Sequence, residues 1–161
     1  SMILIPAVAN AVSIPVIAAG GIATGRQMFA AMALGADGVQ VGSRFVCSNE
    51  ASNHIHFKNA IINSNEGDTL LSMKKIVPVR LLRNNFFEQI KEAELNGASA
   101  EKLSEILGRG RAKKGMFEGD IENGELEIGQ VSSLINDIKP AAEILKEIWN
   151  DFQHAIKRPF D

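Results

Sequence analysis

With 161 residues, 45% of them hydrophobic and 22% charged, the chain has ordinary globular composition and enough length for one real core. A formal net charge of -2 and the lack of a basic tail argue against nucleic-acid or membrane-surface partners. No apolar run approaches the roughly 20 residues of a membrane span and no signal peptide is visible. The single cysteine, Cys47, rules out an internal disulfide and suits a reducing cytoplasm.

In chain order, Ile3 to Val12 carries apolar residues at helical spacing and reads as the end of a crossover helix. Val16–Ala19 then forms a short apolar strand, with Pro15 at a position a strand tolerates. Gly20-Gly21 makes a turn. Thr24 is the expected N-cap of a helix over Gly25–Leu34, with Met28, Phe29, Met32 and Ala33 toward the sheet and Gly35 at its end. Arg26, at the helix start, reads as solvated, with a phosphate or an acidic neighbour as its alternative partner. Val39–Val41 forms a second parallel strand, closed by Gly42-Ser43.

Two such turns on neighbouring strands have a chemical use. Glycine lacks a Cβ, so Gly20, Gly21 and Gly42 let the backbone approach a bulky anion and take conformations other residues resist. Bare N–H groups there, with a following helix N-terminus, cradle phosphate oxygens. Ser43 adds a hydroxyl donor. In α/β folds this carboxyl edge of the strands carries the ligand.

Beyond Cys47, itself expected to be a buried inert thiol, the strand–helix alternation stops. A helix is expected over Asn53–Asn63. His54 and His56, two apart on it, are badly spaced for a metal, and no metal site is expected. Residues 65–68 form a turn and Thr69–Met73 an extended segment. Pro78 opens a long helix to about Asn96, with Leu82, Phe86, Ile90 and Ala93 as its apolar stripe. Ser99 caps the next helix, whose core face is Leu103, Ile106 and Leu107. Gly108–Gly115 reads as a solvated loop. Its four cations, with no aromatic between them, are too few for nucleic acid. Gly119–Gly124 is a turn cluster. Pro140 suits the first position of a last helix, Ala141 to about Ile156, with Ile144, Leu145, Ile148, Trp149 and Phe152 on its apolar face. Trp149 reads as core or interface. Three stretches result: 1–47, 48–125 and 126–161.

Pro15–Gly21, Leu34-Gly35-Ala36 and Val39-Gln40-Val41-Gly42-Ser43-Arg44-Phe45 resemble the FMN-phosphate half of the nitronate monooxygenases, formerly called 2-nitropropane dioxygenases. The FMN-dependent enoyl-ACP reductases share the pattern. The likeness continues through Pro78-Val79-Arg80 to Asn84, and through Gly119-Asp120 to Gly129-Gln130. It implies FMN contacts at Gly21, Gln40, Val41, Gly42 and Ser43, which Gly20 joins from the turn chemistry alone, a pocket-lining place for Gln130, and a structural role for His54. The fold implied is α/β: the last βα units of a partial TIM-type (β/α)8 barrel, with a mainly helical C-terminal extension. A whole barrel needs about 250 residues, so the chain is similar to the C-terminal half of a family member. Ser1-Met2 reads as a tag remnant or a replaced start.

The activity implied is oxidation of an alkyl nitronate with O2. The alternatives are an NAD(P)H-dependent enoyl-ACP or quinone reductase using FMN, and a non-enzymatic half-barrel that self-associates. In part of the family a histidine in an upstream Gly-Gly-His segment acts as base. Nothing before Pro15 matches it, so no catalytic residue is assigned and the chain alone is expected to be inactive. A homo-oligomer is expected, because an incomplete barrel exposes sheet edges.

Overall fold

The computed structural model describes residues 2–158; Ser1 of the Ser1-Met2 start and residues 159–161 lie outside them. Its elements are α1 (Leu4–Ala11), β1 (Ile17–Ala19), α2 (Gly25–Ala33), β2 (Gly38–Gln40), α3 (Ser43–Val46), α4 (Ile55–Ile62), β3 (Thr69–Ser72), β4 (Val79–Leu82), α5 (Asn85–Leu95), α6 (Ala100–Leu107), α7 (Arg111–Met116), a 3-10 turn (Gln130–Leu134) and α8 (Ala141–Lys157). They form two compact units. The divisions fall after residues 50 and 138, where the sequence suggested 47 and 125, and residues 139–158 belong with the N-terminal unit.

In the first unit β1 and β2 pair in parallel, Ile17 opposite Gly38, Ala18 opposite Val39 and Ala19 opposite Gln40. Asp37 fastens their amino ends: its carboxylate accepts from Val16 N at 2.8 Å, and its own N–H donates to Val16 O at 2.8 Å. The core is small, made of Ile5, Ala18, Ile22, Ala31 and Ala36, with Leu34, Val39 and Val41 at its margin.

Helix α2 begins as expected. Thr24 Oγ1 accepts from Gln27 N, and Gln27 Oε1 accepts from Thr24 N, a reciprocal capping box. It ends as expected too, with Gly35 at φ +100°. Its buried face differs. Ala31 is the buried residue of the helix body, Ala33 is exposed, and Phe29 lies edge-on to Phe152 of α8 at 6.4 Å. The helix has two partners rather than one. A Cβ on Gly25 would fall on the backbone of α8 at Phe152 N and Ile148 O, so the two helices touch main chain to main chain there.

On α8, Ile144, Ile148 and Phe152 are buried, while Leu145 and Trp149 are 62% and 52% exposed. The broad apolar face read in the sequence is therefore half used. Pro140 takes the cap position rather than the first helical one, and Glu50 accepts from Ala141 N at 2.8 Å. Cys47 is fully buried.

The second unit spans Ala51–Ile138. Strands β3 and β4 form an antiparallel pair from Thr69 opposite Leu82 to Ser72 opposite Val79. Here the expected helix from Pro78 is corrected: Val79–Leu82 is strand, and helix begins only at Asn85. Two facts explain it. Asn84 is an N-cap whose Oδ1 accepts from Phe87 N at 2.9 Å. Val79–Leu82 are claimed from both sides, by β3 and by the stretch around Leu126–Ile128, through Leu82 N to Leu126 O and Ile128 N to Arg80 O. Tertiary pairing outweighs local helical preference. Met73, Leu81, Phe86, Phe87, Ile90 and Leu103 make the core, none more than 2% exposed.

Gly108–Gly115 is likewise not a loose solvated loop. Arg111 starts α7, lies over the Phe86 ring at 4.7 Å, and donates to the carbonyls of Ile106, Leu107 and Asn123. His54 caps α4 with Nδ1, accepting from His56 N at 3.1 Å.

Candidate functional site

Strand register decides where the expected phosphate turns meet. Ala19 and Gln40 are paired neighbours, so Gly20-Gly21 and Val41-Gly42 leave the same carboxyl edge of one parallel pair. Gly20, Gly21, Gln40 and Gly42 are exposed, and Val41 and Ser43 half-buried. All six sequence-assigned residues therefore sit at one edge, on adjoining strand ends.

The glycines at this edge differ in kind. Gly20 and Gly21 have φ of +93° and +73°, a region that L side chains avoid, so the turn after β1 requires glycine. Gly42 has φ -104° and ψ -69°, which any residue can adopt. The expectation that Gly42 is needed for its conformation is therefore wrong. What Gly42 supplies is space: a Cβ there, or at Gly20 or Gly21, would meet nothing within 4 Å. Among the described residues no acceptor reaches the amides of Gly21 or Gly42. Two uncovered N–H donors beside two missing side chains can receive an anion's oxygens.

The N-terminus of α2, expected to add its dipole to the attraction, has several of its amides engaged within the fold. Ala23 N and Thr24 N donate to Gln27 Oε1, Gln27 N to Thr24 Oγ1, and Arg26 N to Asp151 Oδ2 at 2.9 Å. The Arg26 side chain is 72% exposed yet stands 3.8 Å from Asp151, so the arginine is both solvated and beside an acidic neighbour. Sequence inspection missed Asp151, because 125 residues separate it from Arg26 and an acid on a helix face carries no signature.

An apolar hollow of about 340 Å3 lies on the outer side of β1, walled by Ile5 and Val8 of α1, Ile17 and Gly21, and Ala30 and Leu34 of α2. It adjoins the first glycine turn at Gly20 and Gly21 and does not reach Gly42. No group of three or more metal-ligating side chains occurs among the described residues. None of their helices is long and apolar enough to cross a membrane. Gln130, at the start of the 3-10 turn in the second unit, is exposed.

In the second unit Glu125 is a carboxylate that sequence reading passed over. It is 6% exposed, and burial, then the charge of Glu127, raises its pKa to about 7, with Arg111 opposing.

Comparison with known proteins supplies independent findings. The family model for nitronate monooxygenase matches residues 1–151. A probable nitronate monooxygenase of Staphylococcus aureus strain JH9 is 34% identical over 157 residues, 96% of this chain and 43% of that protein. Among solved structures, FabK from Thermotoga maritima superposes with a TM-score of 0.90 at 39% identity, covering 97% of this chain and 50% of that one. A nitroalkane oxidase from Streptomyces ansochromogenes gives 0.79 at 28% identity, covering 96% and 44%. The chain thus spans about half the length of the relatives it matches. With the family model matching nearly its whole length, this chain belongs to the nitronate monooxygenase family.

Proposed function

We propose that the chain forms the FMN-phosphate end of an FMN-dependent oxidoreductase that oxidises alkyl nitronates with O2. The observation that carries this reading is the pair of acceptor-free amides at Gly21 and Gly42, on the ends of two paired parallel strands. The fit is chemical as well as spatial. A phosphate monoester needs several donors and no bulk near them, and the glycine turns offer both. Ser43 and Gln40 flank the amides as polar side chains, and Val41 shapes the wall between them.

When bound, the flavin ring supplies the electron transfer. The residues of this chain hold the tail and fix its orientation. No catalytic residue is assigned. His154 is exposed on α8, and His54 spends Nδ1 on a helix cap. The 161-residue chain alone is therefore expected not to turn over a nitronate.

A second reading keeps the FMN grip and changes the chemistry to an NAD(P)H-dependent enoyl-ACP or quinone reductase. The match to FabK, higher in both identity and TM-score than that to the nitroalkane oxidase, favours it. A third reading, a non-enzymatic half-barrel that self-associates, draws on Ile17, 57% exposed beside the apolar hollow. A cytoplasmic homo-oligomer accords with all three.

The decisive experiment titrates the purified chain with FMN and with riboflavin, following flavin fluorescence. FMN binding well above riboflavin, weakened tenfold or more by Gly42→Val, supports the grip. Equal binding of the two flavins, or none, rejects it. Nitronate with O2, against NADH with an enoyl thioester, then separates the first two readings in a protein of the relatives' full length.

A further inference from the structure

We infer that the apolar hollow beside β1 is a docking slot for one β-strand, laid parallel to β1 and donated by the part of a family member that this chain does not span. The inference rests on the family membership and not on the flavin reading.

Strand β1 is partnered on one side. Among the described residues its sheet holds β1 and β2 alone, so the edge of β1 away from β2 carries no strand. Such an edge presents N–H and C=O groups with which a further strand can pair. The hollow takes residues from α1, β1 and α2 and none from β2, so it lies on that free side. Direction follows from the helices. Ala9 and Val12, toward the end of α1, share a second hollow with Val16 and Asp37 at the amino end of β1. Met2 and Leu4, at its start, share the first with Gly20 and Gly21 at the carboxyl end. Helix α1 therefore runs back along β1 and begins at the edge where β1 stops. Both helices cover one face, since Ile5 of α1 and Ala31 of α2 share a core cluster with Ala18 of β1. β1, α2 and β2 form a parallel crossover, and α1 with β1 is the closing half of another. Crossovers are right-handed, so a strand leading into α1 lies parallel to β1 on the side opposite β2.

The walls set the chemistry of the occupant. Ala18, Ala30 and Ala31 offer only methyl groups, and Ile5, Val8 and Leu34 complete an apolar lining. About 340 Å3 is left between them. A strand with large apolar side chains, Leu, Ile or Phe, on its helix-facing side supplies the bulk that a packed interior needs. The longer relatives have chain to provide it, because this chain spans 43% of the Staphylococcus aureus protein and 50% of FabK. A second copy of this chain fits less well. Its own β1 edge is walled by its own α1 and α2, so it can cover the exposed Ile17 without entering the slot.

The test uses peptides of about 15 residues, tiled across the part of Thermotoga maritima FabK that this chain does not span. Each is titrated to about 1 mM into the 161-residue chain, with amide NMR shifts as the readout. One window, or two that overlap, is expected to bind, shifting Ile17, Ala19 and Gly20 and leaving β3 unmoved. A spin label on the carboxyl end of that peptide broadens Gly20 and Gly21, and one on its amino end broadens Val16. Ala30→Phe puts a ring into the hollow from an exposed position and weakens binding tenfold or more. Leu145→Ser removes an exposed apolar side chain elsewhere in the first unit and leaves binding unchanged. Should Ala30→Phe fail to fold, Val8→Phe, from the α1 wall, blocks the slot in its place. No binding window, a bound peptide that survives the blocking variant, or labels that broaden the opposite ends overturns the inference. So does protection of β1 that grows with the chain's own concentration and that no peptide displaces, because the slot then belongs to a second copy.

Discussion

The two units solve the problem of burying a sheet in opposite ways. The second closes on itself: Met73, Leu81, Phe86, Phe87, Ile90 and Leu103 are at most 2% exposed, under an antiparallel pair that α5 and α6 cover. The first rests on a two-stranded parallel pair whose β1 alternates exposed, buried, exposed, with Ile17 57% in solvent. Parallel strands are ordinarily covered on both faces, whereas antiparallel ones tolerate one wet face. The unit that carries the glycine turns is thus the less self-sufficient of the two. Its donors face outward because its strands end in the open, and the same exposure leaves apolar surface uncovered.

The sharpest way to test that contrast is to remove one core side chain from each unit. Phe86→Ala takes a fully buried ring from the closed core and is expected to cost about 3–5 kcal/mol, read as the loss in chemical unfolding of the second unit. The comparable ring of the first unit, Phe152 of α8, is 6% exposed and packs edge-on to Phe29 rather than inside a closed cluster, so Phe152→Ala is expected to cost less than Phe86→Ala. A larger loss from any single truncation in the first unit would reverse the comparison.

Next in size is the pH dependence of the second unit. Glu125 has a folded pKa of about 7 against an ordinary 4.5, so the fold prefers its neutral form. Its stability is greatest below pH 4.5, declines as pH rises toward 7, and is level above that. A shift of this size corresponds to about 3 kcal/mol at most, and partial relaxation around the carboxylate reduces it to about 1–3 kcal/mol. Thermal melts of Glu125→Gln and the unaltered chain at pH 5 and pH 8 read it: the variant gains at pH 8 and not at pH 5.

The glycine turns are expected to separate stability from binding. Gly21→Ala forces an L side chain to φ +73°, at about 1–2 kcal/mol of stability, and also shields the amide. Gly42→Ala meets no conformational barrier and open space, so its stability changes by less than about 0.5 kcal/mol. Phosphate-dependent FMN binding weakens in both. Equal stability losses would mean that Gly42 is also conformationally required.

Much of the first unit could be read directly from the residues, because local chemistry fixes it. Thr24 and Gln27 form a capping box, Gly35 ends a helix, and Gly20-Gly21 needs positive φ. Those are contacts between near neighbours in the chain. The second unit was misread where distant pairing decides: Val79–Leu82 follows β3 and the stretch near Leu126, and Arg111 is taken out of solvent by Phe86 and three carbonyls. The candidate site divides the same way. Its glycines could be recognised, whereas the acceptor of Arg26 N, Asp151, lies 125 residues away and gives no local sign.

The smallest expected effect on stability comes from Ile17, and it bears on the contrast most directly. Its side chain is 57% exposed and stands at the rim of the apolar hollow outside β1. Ile17→Ser removes little buried area, so the chain's own stability changes by less than about 0.5 kcal/mol. An exposed apolar strand edge, however, promotes association between copies. Sedimentation of the unaltered chain is expected to show concentration-dependent assembly, and Ile17→Ser to shift it toward monomer without altering the melt. The reverse pattern, a lower melting temperature with unchanged assembly, would mean that Ile17 works inside the first unit and that its open strand pair is self-sufficient.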